Sequence, residues 1–298
     1  MNARLNWFFA KIIYVSKGVK MAHEKDITIS YFDGQLPEFN TEAAGDTLKA
    51  AVVAAETKGT NPRTAKLIEL SVSVVEIDRA SWKISKVLEQ HNWFQDPEDD
   101  DVFSEDFIQQ TGLTKEMVAG QSIDGRVFEE IIDAVDIFIT YNAGYIRPLL
   151  QEQFPNLDTA VFACARNQID WSAKGFESRS FHHLTRDHFW YTDSLRMKDR
   201  VAAIIKLIIE PAKEDQSSYL QELCERAEEP LITIEAQVQH REKHLMKKER
   251  FRWDAREKTF LRSMGSSTLE RVRKSLGAKG FRGQLIERDR KPASERFK

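Results

Sequence analysis

Cysteine is nearly absent from this sequence: 298 residues contain two, Cys164 and Cys224. Neither stands in a CxxC pair or beside histidine at ligand spacing, which argues against a disulfide framework or a structural zinc site. Both read as reduced thiols, the expectation for a cytoplasmic protein. Long apolar runs are also missing. The most apolar N-terminal stretch, residues 6–19 (NWFFAKIIYVSKGV), is interrupted by Lys11 and again by Lys17. That is far short of the roughly 20 apolar residues of a spanning helix, so no membrane association is expected. No small-residue cleavage site follows, so the stretch does not fit a signal peptide. It reads either as a short amphipathic helix or as sequence lying ahead of a true start at Met21. Internal repeats are lacking too. With 41% hydrophobic and 31% charged residues, the chain has the composition of a soluble globular protein, not a largely disordered one.

A large excess of either charge is the fourth absence, since the formal net charge is only −3. The total conceals a split. Residues 241–298 hold 19 basic and 8 acidic side chains, a net of +11, leaving −14 on the first 240 residues. Such asymmetry points to a basic segment with an anionic partner.

Residues 21–40, with Gly34 and Pro37, form an irregular lead-in. Three strands are then predicted at 50–55, 67–77 and 82–88, from apolar or alternating, β-branched segments separated by turn residues. After the acidic loop 95–101, a short turn at 115–119 and a helix at 124–134 are expected. Strands at 135–140 and 160–165 alternate with helices at 142–153, 178–188 and 194–209. Paired strands followed by strands alternating with helices predict a mixed α/β sheet with a parallel half. A polar hinge at 211–216 leads to a charged, helix-like pattern over 217–248 broken by Pro230. A Gly-, Arg- and Lys-rich tail begins at Gly277. The expected organisation is a lead-in (1–45), a globular domain (46–210), a charged helical region (211–276) and a basic flexible tail (277–298).

Five segments, in order, carry a resemblance. They are VVAAETKG at 52–59 with IELSV at 68–72, TGLTKEM at 111–117, YNAGYIRP at 141–148, IDW with GFESR between 169 and 179, and SLRMKD at 194–199. Over about 160 residues the chain thereby resembles the DEDD-type 3′–5′ exonucleases, in the histidine subgroup, which includes the epsilon subunit of bacterial DNA polymerase III. FRWD at 251–254 and ERF at 295–297 are similar to segments of stand-alone members. The resemblance implies an RNase H-like exonuclease fold, a mixed five-stranded sheet flanked by helices, here with a helical, basic C-terminal extension.

The family's chemistry uses four carboxylates to hold two divalent ions, one activating water and one stabilising the leaving oxygen. Hard oxygen donors suit Mg²⁺ or Mn²⁺, and a histidine serves as general base. Carried over by position, the first aspartate falls on Ala54, the glutamate on Glu56, the next aspartate on Ile146, the base on Ser194 and the last aspartate on Asp199. Glu56 and Asp199 are thus the retained catalytic positions and the weak candidate metal ligands. Loss of a positioned base alone costs about 10²–10⁴ in rate. Asp170, Asp187, His188 and Asp193 are the nearest replacements.

These substitutions predict a protein without the family's cleavage, needing no cofactor, or Mg²⁺ or Mn²⁺ if it is active. Nucleic-acid contacts are expected from Thr57, Asn142, Arg250, Arg252 and Trp253, because basic residues meet phosphates and aromatics stack on unpaired bases. Three functions are compatible with the sequence: an inactive relative that binds single-stranded DNA or RNA, an active exonuclease with non-standard ligands, and a scaffold for a protein partner.

Overall fold

The computed structural model describes residues 29–210 and 218–298. Segment 6–19, the alternative start at Met21 and the hinge at 211–216 lie outside the described residues. The chain runs through β1 (Ser30–Tyr31), β2 (Thr47–Lys58), β3 (Lys66–Asp78), β4 (Lys83–Phe94), α1 (Glu105–Thr111), α2 (Lys115–Val118) and α3 (Gly125–Ala134). It continues with β5 (Ile137–Thr140), α4 (Ala143–Gln151), β6 (Phe162–Cys164), α5 (Ala165–Gln168), α6 (Phe181–Asp187), β7 (Trp190–Tyr191), α7 (Met197–Ile209) and α8 (Tyr219–Glu228). Beyond these come β8 (Leu231–Gln237), α9 (Lys243–Lys248), β9 (Arg252–Asp254), β10 (Thr259–Met264), α10 (Ser266–Ala278) and β11 (Gln284–Lys291).

Five strands form one sheet in the order β4-β3-β2-β5-β6. β2, β3 and β4 are antiparallel neighbours, with Val53 opposite Val72 and Leu70 opposite Trp93. β5 and β6 add in parallel, with Val52 beside Ile139 and Ile139 beside Ala163. An antiparallel triplet continued by a helix-connected parallel half is the RNase H-like exonuclease arrangement that the sequence predicts. The near-continuous apolar run of β3 follows from burial on both faces. α7 and α8 cover one face through Val201, Ile204, Ile208, Tyr219, Leu220 and Leu223. α3 and α4 cover the other, where Phe128, Leu149 and Phe154 pack with Phe138 and Phe162. β4 outruns its expected end at 88 because its outer half, EQHNWF, is polar and only partly buried; pairing to β3, not an apolar pattern, makes it strand.

The C-terminal region departs from expectation. α8 packs into the core of the five-stranded sheet. The residues that follow are not chiefly helical: β8, β9, β10 and β11 form an antiparallel sheet in the order β11-β8-β10-β9. Pro230 ends α8 and does not interrupt a long helix. Beyond it Ile232, Ile234 and Ala236 alternate inward at the period of a strand. Leu269, Val272 and Leu276 of α10 close a small core with Met246, Phe251 and Phe260. Residues 284–291, expected in a flexible tail, pair with β8 along their length. The chain end then docks on the larger unit. Fully buried Arg147 donates to the carbonyls of Arg296 (2.8 Å), Asp158 (3.1 Å) and Leu157 (3.3 Å), and Phe297 packs beside the α3–α4 cluster. The lead-in is anchored likewise. β1 pairs in parallel with β7, and Phe32 packs edge-on against Trp190.

Candidate functional site

The residues singled out in β2 lie where the strand leaves the core. The Ala54 methyl is buried within it. Glu56 is part-buried, and its Oε1 accepts the Thr57 N–H at 3.0 Å. The Thr57 hydroxyl is 2.6 Å from the Tyr145 hydroxyl, which donates to the Gly59 carbonyl at 2.8 Å. Across from β2, Ile146 of α4 is buried in the second core face. Asn142 caps α4 with no side-chain bond; its carbonyl instead accepts from the amides of Tyr145 and Ile146.

Two arginines absent from the sequence-level candidates act on Glu56. Arg196 is the N-cap of α7 and Arg200 lies one turn later, a spacing that puts both on one helix face. Their positive charges lower the Glu56 pKa, but burial outweighs them and raises it overall. Glu69 of β3, in the IELSV segment, belongs to the same cluster. Its Oε1 accepts the Met197 amide at 3.2 Å, and its Oε2 lies 3.5 Å from an Arg196 nitrogen. Burial raises the Glu69 carboxyl too, against the pull of Arg196. The other Arg196 terminal nitrogen, Nη1, is buried without a hydrogen-bond acceptor. Arg200 lies over the Phe181 ring at 4.6 Å; burial lowers its pKa while Glu56 opposes that shift.

Asp199 is engaged elsewhere. The Ser194 hydroxyl donates to its Oδ2. Beside Oδ1 runs the lead-in: Gly34 has φ +87°, and a Cβ there would lie 2.5 Å from that oxygen. The close approach and the left-handed backbone both require glycine. The lead-in therefore straps across Asp199, held by β1 and by Tyr31, whose hydroxyl donates to Asp193 Oδ1 at 2.9 Å.

Three of the nearest replacement ligands have other partners, and the fourth, Asp187, is exposed at the end of α6. Asp170 pairs with Arg271, Asp193 binds Tyr31, and the His188 ring contacts the Leu184 carbonyl and the Tyr219 hydroxyl. Among the described residues, no group of three or more His, Cys, Asp or Glu side chains is placed to hold a metal ion. Nor is any helix among them long and apolar enough to cross a membrane.

The C-terminal candidates lie apart from Glu56 and are split among themselves. Arg250 occupies a left-handed turn between α9 and β9, with φ +57°. Arg252 and Trp253 lie on edge strand β9. Trp253 is half exposed, edge-on to Phe260 at 5.1 Å and beneath Lys243 at 5.5 Å. Phe251, not Trp253, fills the small core. Arg250 lines a cleft of about 730 Å³ between the two sheets.

Arg196 and Arg200 left one trace in the sequence, their four-residue spacing at the start of a helix. Glu69 left the IELSV match, and Gly34 only a lone glycine in a polar segment. Their convergence is tertiary.

No family model matches this chain, and no curated protein matches its sequence. Several solved structures are similar to it. One is a 3′-exonuclease in 3′-end specific recognition of a histone mRNA stem-loop, at 14% identity and TM-score 0.43, covering 57% of this chain and 84% of that one. Another is the zinc-bound form of an Escherichia coli exonuclease I–single-stranded DNA complex, at 12% identity and TM-score 0.45, covering 67% of this chain and 50% of that one. A third is cell-death related nuclease 4, at 13% identity and TM-score 0.40, covering 53% of this chain and 62% of that one.

Proposed function

We propose that this chain is a degenerate, DEDD-type exonuclease-like protein that binds single-stranded nucleic acid without cutting it. The observation that carries the reading is what occupies the resembled family's positions: buried Ala54, buried Ile146 and a Ser194 hydroxyl bound to Asp199, beside Glu56 alone. In the resembled family, carboxylates at this place are neutralised by two divalent ions. Here Arg196 lies 3.5 Å from the Glu69 carboxylate, and the positive charges of Arg196 and Arg200 act on Glu56. The remaining family positions offer a buried methyl (Ala54), a buried alkyl chain (Ile146) and a hydroxyl already bound to Asp199 (Ser194). That donor set does not fit a two-metal centre, because a dication would meet two guanidiniums and too few oxygens. Glu56 and Asp199 are then remnants of the family pattern, not metal ligands.

Binding is a separate property. The chain beyond residue 240 has a net charge of +11, and phosphate contacts from Lys and Arg need no metal. The test uses purified full-length protein with 5′-labelled single-stranded DNA and RNA. Expected are a complex that forms in EDTA and weakens steeply with salt, and oligonucleotides that stay full length in Mg²⁺ or Mn²⁺. Shortening from the 3′ end in Mn²⁺, abolished by Glu56→Gln, would replace this reading with the active-enzyme one. Capture of protein but no nucleic acid would favour the scaffold.

A further inference from the structure

The cleft between the two sheets is walled on both sides by cations that lack acidic partners. From the larger unit come Arg166 and Arg179. Arg179 donates only to the neutral amide of Asn167, at 2.9 Å. The smaller unit supplies Lys248 and Arg250 on either side of the α9–β9 turn. Arg166, Arg179, Lys248 and Arg250 are all exposed, and among the described residues none forms an ion pair. Deeper in, Arg262 donates to the Glu249 carbonyl. Its pKa is lowered by burial and further by repulsion from Arg271 and Arg250.

Most of the acidic groups in the cleft are committed. Asp170 pairs with Arg271, the Glu249 carboxylate is held by Lys279 at 2.7 Å and Ser275 at 2.6 Å, and Glu229 accepts from the Ser267 amide. Exposed Glu177 is the uncommitted exception. Like charges gathered with so little compensation are costly, and a bound anion would relieve that cost.

Resting on the function proposed above, we infer that this inter-sheet cleft holds the phosphate backbone of the single strand, outside the vestigial catalytic site. Two features favour a phosphate chain over an acidic peptide. The cations are mostly arginines, whose planar forks match phosphate oxygens in a bidentate way. Two of the cleft's arginines are also tied to the end of β5: the Tyr141 carbonyl accepts the Arg166 amide at 3.1 Å, and the Tyr141 hydroxyl donates to the Arg179 carbonyl at 2.5 Å. A strand held by Arg166 and Arg179 would thus lie against residues bonded to the end of β5.

The test measures anisotropy of labelled single-stranded DNA and RNA with full-length protein in EDTA, across a salt series. The variant is Arg166→Gln/Lys248→Gln/Arg250→Asn, with asparagine chosen because it tolerates the left-handed turn. All three side chains are exposed, so the fold is expected to survive, which thermal melting checks. Losing three phosphate contacts should weaken binding at least about 10-fold at low salt and reduce the log–log salt slope by about 2. Arg126→Gln, an exposed position on α3 outside the cleft, should leave both unchanged. A triple variant that binds like wild type overturns the cleft assignment alone. Shortening of the strand in Mn²⁺ overturns only the non-cleaving reading, and absence of wild-type binding overturns both. Competition by polyglutamate as effective as that by an oligonucleotide of equal charge overturns the assignment to phosphate.

Discussion

β3, inside the five-stranded sheet, has nearly all of its side chains buried, whereas β11, at the edge of the four-stranded sheet, leaves most of its side chains in solvent. The same contrast separates the units to which they belong. The larger, in the acidic part of the chain, has two extensive core clusters, one on each sheet face. The smaller, in the basic part, has one modest core and turns Lys248, Arg250, Arg262 and Arg271 toward the cleft. Apolar burial dominates folding free energy, so the larger unit can tolerate part-buried Glu56 and buried Glu69 beside Arg196 and Arg200. The smaller has less burial to spare and gains support by docking its chain end on its neighbour.

The largest expected effect tests that docking. Arg147→Ala removes three carbonyl contacts, including the one to Arg296, and leaves a gap in a buried region. A cost of about 3 kcal/mol is expected, or a fall in melting temperature of roughly 8 °C. If the docking joins the units, both melt earlier; earlier melting of the larger unit alone would separate them.

A smaller loss is expected from Gly34→Ala, which places a methyl against Asp199 and forces a left-handed alanine. About 1–2 kcal/mol is expected, confined to the lead-in. Hydrogen exchange should rise at the amides of Ser30 and Phe32, which donate to β7-side carbonyls, while the C-terminal sheet stays unchanged. Uniform protection throughout would show that the strap is not held at Asp199.

Glu56→Gln should give the smallest change, and one with a definite pH sign. Burial raises the Glu56 pKa in the folded state, so above the ordinary carboxylate value the folded protein holds more protons than the unfolded one. Stability contributed by this group therefore falls as pH rises through that window. The glutamine variant should match wild type below the window and melt about 1 °C higher above it. A lower melting temperature at neutral pH would mean that attraction to the charges of Arg196 and Arg200 outweighs the cost of burial.

Legibility in the sequence followed the same division. Residues 67–77 read as a strand because burial on both faces left an apolar, β-branched run, and β3 extends only one residue beyond each end. Residues 231–237 carried an equally valid signal, the alternation of Ile232, Ile234 and Ala236, but dense charge around it resembled a solvated helix. β11 carried almost none: QLIERDRK is strand because β8 lies beside it. At the site, Ala54, Glu56, Ile146, Ser194 and Asp199 could be placed by motif. That Arg196 and Arg200 face Glu56, or that Gly34 meets Asp199, could not, since these contacts join segments distant along the chain.

The near-absence of cysteine and of long apolar runs, the residue types at 54, 56, 146, 194 and 199 and the +11 charge beyond residue 240 are facts of the sequence alone, and they determine which chemistry its side chains can offer. Tertiary structure decided where that charge points and which cations act on Glu56 and Glu69. Charge and residue type are local properties, whereas the field at a carboxylate depends on every group the fold brings within a few ångströms of it.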